Sequence, residues 1–296
     1  MAGDTETAGG PSVRDLTRVR ITRPGKVLYP AGGITKLDVI TYYIRVAPLL
    51  LPFLHDRPVS MHRFPDGVTG EGFFQKDAPA GTPDYVDIFT RWSETAGRDV
   101  HFVLCNNLDT LIWIANLASL EIHTTLSTAA SYDSPDLMLF DIDPEPPLTF
   151  DDVIDVAHVV REHLEDRGIR PFVKTSGRKG VHIIVPLVPG FRFSGIRDFA
   201  HGIGKEIARD TPLVVSEFPS SRDPGTIFID YLQNAHGKTM AAPYSLRATP
   251  GATVSAPVTW EELRHRVRPE DFNSKTILSR NTEPWRDIFE DRQKIR

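Results

Sequence analysis

One stretch constrains the fold of this chain more than any other: an apolar strand that ends in acid, followed by helix, hairpin, helix and a second strand ending in acid. Residues 137–143 (LMLFDID) read as the first strand and 150–168 as an amphipathic helix stopping at Gly168. Residues 172–187 (FVKTSGRKGVHIIVPL) read as strand, tight turn, strand. Residues 194–210 predict a helix with Ser194 as its cap, and 226–234 (TIFIDYLQN) the last strand. This order implies an α+β sheet with helices on one face, in the style of an RNA-recognition fold, with acidic residues at its centre.

Ahead of it, residues 36–51 predict a helix, with Leu37, Ile40, Tyr43 and Ile44 on one face behind the capping Thr35. A second helix is expected over 107–121, capped by Asn107 or Asp109 and striped by Leu111, Ile114, Leu117 and Leu120. Short strands are expected over 59–64, 86–89 and 100–103.

Asp141 and Asp143 stand at i and i+2, so on a strand both carboxylates face one side. Two carboxylates this close repel unless a cation lies between them, and hard oxygen ligands suit Mg²⁺ or Mn²⁺. Asp230, ending its own apolar strand, is a third candidate ligand. The bland alternative is a polar turn before Pro144. Thr175 to His182 (TSGRKGVH) carries two glycines, a hydroxyl, an ammonium and an imidazole, groups that suit phosphate oxygens. Its bland alternative is a basic hairpin turn. Lys238 and Arg247 follow Asp230 closely and suit a triphosphate. Three carboxylates for metal beside a phosphate-binding set describe nucleotidyl transfer with two metals.

Charge and composition bound the rest. With 40% apolar and 25% charged residues and a net charge of −5, the chain is no disordered polyelectrolyte. The charge is unevenly placed. Residues 133–155 hold seven Asp and one Glu with no base, while 14–45 hold seven Lys or Arg against two acids. Glu145 and the acids at 151, 152 and 155 suit a solvated helix start. The single cysteine, Cys105, excludes an intrachain disulfide or a Cys-based zinc cluster and fits a reducing compartment. No apolar run approaches a membrane span, since 46–54 is short and broken by Pro48 and Pro52. Residues 1–13 lack signal-peptide order and read as a disordered lead-in. The expectation is a cytoplasmic protein, at the bacterial nucleoid, with no membrane partner.

These residues carry a resemblance. The strings GKVLYP (25–30), FFQK (73–76), LASLEIH (117–123), FDIDP (140–144), KTSGRKGVH (174–182), FIDYLQN (228–234) and APYSLR (242–247) resemble the polymerase domain of bacterial DNA ligase D and its stand-alone relatives, in the archaeo-eukaryotic primase superfamily. They occur in the family's order across about residues 20–260. The resemblance implies a two-lobed primase-polymerase domain over 14–296: an N-terminal α/β lobe (14–130), an RNA-recognition-like catalytic lobe (131–260) and a C-terminal segment (261–296). It makes Asp141, Asp143 and Asp230 the catalytic metal ligands for Mn²⁺ or Mg²⁺. It assigns His123, Ser176, Lys179, His182, Lys238 and Arg247 to the nucleotide. Without it, His123 reads as a helix-terminal histidine. It assigns Lys26 and Lys36 to a downstream 5′-phosphate, Phe73 and Phe74 to stacking on the template, and Arg222 to a DNA terminus.

The implied partners are gapped or end DNA with a 5′-phosphate, NTPs or dNTPs, a Ku-type end-binding protein and a separate DNA ligase. The implied preference is for ribonucleotides. No Lys-x-Asp-Gly string is present, so no ligase activity is expected. The competing expectations are a non-catalytic DNA-end-binding or bridging module and a primase that starts strands de novo.

Overall fold

The structure, a computed structural model, describes residues 17–94, 96–217 and 223–295. The expectations for residues 1–13 and for Arg222 lie outside the described residues.

Thr35 opens the first long helix, α1 (Lys36–Leu54), through a reciprocal box in which its hydroxyl accepts from the Asp38 amide while Asp38 accepts from the Thr35 amide. The helix runs through Pro48 and Pro52. Contrary to the sequence reading, it is long and apolar enough by length and composition alone to cross a membrane. Here it is a core helix, with Val39, Ile40, Tyr43, Val46 and Leu50 fully buried and its flank packed on α2 (Leu108–Asn116). Asn107 caps α2, whereas Asp109 binds Arg18 instead.

The helix expected over 107–121 stops at Asn116. Ala118 adopts a positive φ of 58°, which ends the helix, and Ser119–Thr125 continues as strand β7 in the scheme below. The Leu117–Leu120 spacing mimicked a helical stripe. In the strand, Leu120 and Ile122 face the core, while Glu121 and His123 alternate to the other side.

Two antiparallel-based sheets organise the chain, beside a small hairpin of β1 (Val27–Tyr29) and β2 (Ile34–Thr35). The first sheet uses β3 (Pro58–Arg63), β4 (Phe73–Gln75), β5 (Asp87–Ser93), β6 (Arg98–Leu104), β7 (Ser119–Thr125) and β13 (Thr239–Ala241). Its order is β13-β7-β3-β6-β5, with β4 paired to β3. The second uses β8 (Leu137–Pro144), β9 (Phe172–Thr175), β10 (Val181–Pro186), β11 (Val214–Val215), β12 (Ile227–Asp230) and β14 (Pro257–Val258). Its order is β11-β12-β8-β10-β9-β14. Because β13 crosses back onto β7, residues following Asp230 return to the first sheet and bring the 242–247 segment over the second.

Helices α3 (Phe150–Glu165) and α4 (Phe193–Asp210) pack on β8 and on each other. Met138, Phe140 and Ile142 of β8 are fully buried, so by alternation Leu139, Asp141 and Asp143 face the opposite side. That is the expected one-sided α+β layering. Arg192, not Ser194, stands at the start of α4. The last expected strand ends at Asp230, whose own carboxylate caps the turn at Tyr231–Gln233. A short α5 (Trp260–Arg264) follows.

Candidate active site

The register of the second sheet sets the site. Asp230 lies opposite Asp141, Asp141 opposite His182, and His182 opposite Lys174, so four polar side chains form one row across β12, β8, β10 and β9. Opposed residues share a face. Burial works against the Asp141 charge, but His182, with Nε2 3.3 Å from Oδ1, and then Lys174 and Arg247 outweigh it and hold the carboxyl below its ordinary value. Asp230 goes the other way: burial, joined by repulsion from Asp141, raises it. Burial and the neighbouring Lys174 push His182 down to about 4, so it is neutral at pH 7. Lys174 is fully buried, donates a hydrogen bond to Ser255 Oγ, and is held far below the ordinary lysine range by burial first and Arg247 second.

Asp143, two residues further along β8 on the same face, has room beside the row because position 180 is glycine. A Cβ there would stand 2.0 Å from Asp143 Oδ1 and 2.5 Å from the Ile142 carbonyl. Gly180→Ala is therefore expected to displace Asp143 and to cost about 1–3 kcal/mol of stability. Thermal melting with and without Mn²⁺ checks this. An unchanged melting temperature and an unchanged metal-induced rise would contradict it.

The 176–180 loop closes on itself. Ser176 Oγ accepts from the amides of Arg178 (3.2 Å) and Gly180 (3.1 Å), and the Ser176 amide donates to the Gly180 carbonyl. Gly177 has φ +73°, and a Cβ on it would meet Arg247 Cγ and the Val254 carbonyl at 2.7 Å. This close approach lets Arg247 donate to the Ser176 carbonyl. Arg247 is in turn held from α1 and β1. The Tyr29 hydroxyl donates to its carbonyl, the Tyr42 hydroxyl to that of Tyr244, and the Leu246 amide donates to the Tyr43 hydroxyl.

The outcome is one cavity of about 340 Å³ lined by His123, Asp141, Asp143, Ser176, Arg178, Lys179, His182 and Arg247, with Leu139, Gln233 and Thr239–Ala241 completing the wall. Seven of the nine residues named from sequence for metal or nucleotide line it. Asp230 adjoins through Asp141. Lys238 does not line it; it is exposed in the loop before β13, and its charge acts on Asp230. Three carboxylates, two of them in mutual repulsion, form an oxygen donor set that fits divalent cations. Asp141, Asp143 and Asp230 are the residues that would hold them.

Sequence reasoning missed Glu121, Arg178, Lys174 and His62. Glu121 is 1% exposed and receives Arg178 Nη2 at 2.6 Å and His123 Nε2 at 2.9 Å. The signal was available: an acid two residues before His123 shares its face once the segment is read as a strand.

The residues named for DNA divide into two neighbouring groups. Lys26 and Lys36 line a second cavity of about 280 Å³ together with Arg23 and Arg63. Lys36 is 6% exposed and donates to the Asn116 carbonyl at 3.0 Å. Burial, then repulsion from Lys26, Arg23 and Arg63, lowers its pKa. Lys26 pairs with the exposed Asp66 at 2.8 Å. Phe73 and Phe74 are both exposed, at 46% and 57%, so neither is the inward residue of a plain alternating pair. Each lies opposite its β3 partner: Arg63 stands over Phe73 at 5.4 Å, while Phe74 stacks on His62 at 4.0 Å and meets His123 edge-on. β4 thus touches Arg63, which lines the lysine cavity, and His123, which lines the carboxylate cavity.

Comparison with known proteins accords with this geometry. The family described as "LigD, primase-polymerase domain" matches residues 35–289. The multifunctional non-homologous end joining protein LigD of Pseudomonas aeruginosa is 33% identical over 304 residues, covering 100% of this chain and 36% of that protein. Its namesake from Mycolicibacterium smegmatis is 36% identical over 250 residues, covering 83% of this chain and 32% of that protein. The chain therefore spans about a third of the length of these relatives. Among solved structures, the polymerase domain of Mycobacterium tuberculosis ligase D, in complex with DNA, superposes with a TM-score of 0.84 at 30% identity, covering 93% of this chain and 99% of that one. Family match, relatives and superposition agree with the resemblance and the α+β fold expected of it, and the chain belongs to the LigD primase-polymerase domain family.

Proposed function

We propose that the chain is a metal-dependent, template-directed nucleotidyltransferase that fills short gaps or extends ends during DNA end joining. The observation that carries this reading is the Asp230–Asp141–His182–Lys174 row opening, beside Asp143, onto a cavity that also holds Ser176, Lys179 and Arg247. Two Mn²⁺ or Mg²⁺ ions held by the three aspartates would activate a primer 3′-hydroxyl and stabilise the departing pyrophosphate. Lys179 and Arg247 supply positive charge to the triphosphate, and the Ser176 hydroxyl and neutral His182 supply hydrogen bonds. Lys238, in the loop before β13, adds charge near Asp230. His123 orients the nucleotide.

The lysine cavity takes the 5′-phosphate across the gap, and Phe73 and Phe74 stack at the gap edge. Replacing both phenylalanines with alanine is expected to weaken binding to gapped duplex by about 1–3 kcal/mol per stacked base. Fluorescence anisotropy checks this, and equal affinity would remove the stacking role. Arg222 is assigned to the DNA terminus and the ribonucleotide preference is kept, both on the strength of the family resemblance. On the same basis the chain works with a Ku-type end-binding protein and a DNA ligase at the bacterial nucleoid.

The test is incorporation on a duplex with a one-nucleotide gap and a downstream 5′-phosphate, comparing NTPs with dNTPs and Mn²⁺ with Mg²⁺. Metal-dependent addition of the templated nucleotide is expected. No addition under any condition would leave a non-catalytic end-binding module. Equal synthesis on unprimed single strands would make it a de novo primase.

A further inference from the structure

We propose that Glu121 is the positioning residue of the nucleotide cavity: one buried carboxylate on the first sheet that holds His123, Arg178 and Arg247, from three separate segments, in the array that meets the nucleotide. This rests on reading the cavity as a nucleotide site.

Glu121 Oε1 accepts from Arg178 Nη2 at 2.6 Å and from the Ala248 amide at 2.9 Å. Oε2 accepts from His123 Nε2 at 2.9 Å and stands 3.4 Å from both Arg247 Nε and His62 Nδ1. Burying a carboxylate this deeply is costly unless donors surround it. Burial does push its pKa up, but His123, His62 and Arg247 outweigh that and hold it far below the carboxylate range.

The consequence lies with its partners. Arg178 belongs to the 176–180 loop of the second sheet, Arg247 to the segment after β13, and both line the cavity. Burial first, with Arg178 repelling alongside, lowers the Arg247 pKa, whereas Glu121 works to raise it. Without an anion between them, the half-exposed Arg178 has every reason to swing into water. For His123, which lines the cavity, a bond from Nε2 to a carboxylate fixes the neutral tautomer and leaves Nδ1 as an acceptor.

The ligand atoms of His62, Glu121 and His123 lie within 4.8 Å of one another. A metal there would compete with Arg178 on one carboxylate oxygen and Arg247 beside the other, so the carboxylate is better read as the counter-charge of the guanidiniums.

Glu121→Gln keeps the shape and removes the charge. Titrating a non-hydrolysable NTP without DNA is expected to show affinity about ten- to a hundredfold weaker. In turnover, KM for nucleotide rises while kcat changes less than about threefold, and the affinity for gapped DNA stays at the wild-type value. In an Arg178→Ala background the same substitution costs measurably less than in the wild type, because part of its effect acts through Arg178. In wild-type protein, ¹⁵N spectra of the imidazoles show His123 as the Nε2–H tautomer, a readout that does not depend on the variant folding.

Unchanged nucleotide affinity in Glu121→Gln, an equal loss in the Arg178→Ala background, or an Nδ1–H tautomer would overturn the proposal. Wild-type protein that binds no nucleotide would instead remove the reading of the cavity itself.

Discussion

Replacing Asp141 and Asp143 together with alanine is expected to lower templated nucleotide incorporation by about a thousandfold or more. The two side chains face one cavity from alternate positions of β8, and Asp141 lies opposite Asp230. Removing them takes away two of three oxygen donors and leaves Asp230 alone. The fold has no comparable reason to suffer, because Met138, Phe140 and Ile142 on the other face of β8 make the core contacts. Burial, the main cause, still raises Asp230, but the added repulsion from Asp141 falls away, so its pKa moves part of the way back toward the ordinary value. In the wild-type chain, Mn²⁺ bound only by the folded state raises the melting temperature by mass action. The double variant loses that rise while keeping its metal-free melting temperature. Extension retained in Mn²⁺ would remove the three aspartates from the mechanism.

Replacing Lys26 and Lys36 together with alanine is expected to cost about ten- to a hundredfold in affinity for gapped DNA bearing a 5′-phosphate, and little for the same DNA without it. Four cationic side chains share the cavity of about 280 Å³, and Asp66 pairs with one of them from an exposed position. Lys36 is placed there at a cost, since burial and three neighbouring positive charges all lower its pKa. A phosphate relieves that repulsion. The dependence of binding on salt should fall by about two ions in the variant. Binding titrations over a salt series, with phosphorylated and unphosphorylated gaps, measure both effects. Equal losses on the two substrates would make the lysines ordinary backbone contacts.

What could be read from the chain divides by distance. Asp141 and Asp143 were legible because period-two alternation acts within one strand. The loop from Ser176 to His182 was legible because its glycines and polar groups are contiguous. The row joining Asp230, Asp141, His182 and Lys174 was not, since register between strands is set by packing over the whole sheet. The residue types, and then the family resemblance, grouped Asp230, Asp141 and His182 in one site; Lys174 joined them only through the register.

The helix expected over 107–121 failed for a local reason. Leu117 and Leu120 keep helical spacing across the Ala118 turn, and no β-branched residue follows until Ile122. That error hid the strand on which Glu121 and His123 share a face. Lys36 reads from sequence as the first residue of a helix, and nothing local announces that its amine turns inward to the Asn116 carbonyl. Arg63 and His62 were invisible for a similar reason: their value comes from lying opposite Phe73 and Phe74 on β4.

The central claim is that Asp141, Asp143 and Asp230 hold the metal ions of a nucleotide site whose phosphate end is the 176–180 loop. Crystals soaked with Mn²⁺ and a non-hydrolysable nucleoside triphosphate, read by anomalous scattering at the manganese edge, test it most directly. Manganese peaks are expected among the oxygens of the three aspartates, with the triphosphate against Ser176, Lys179 and Arg247. A sole peak between His62, Glu121 and His123, or a triphosphate bound away from the loop, would contradict it.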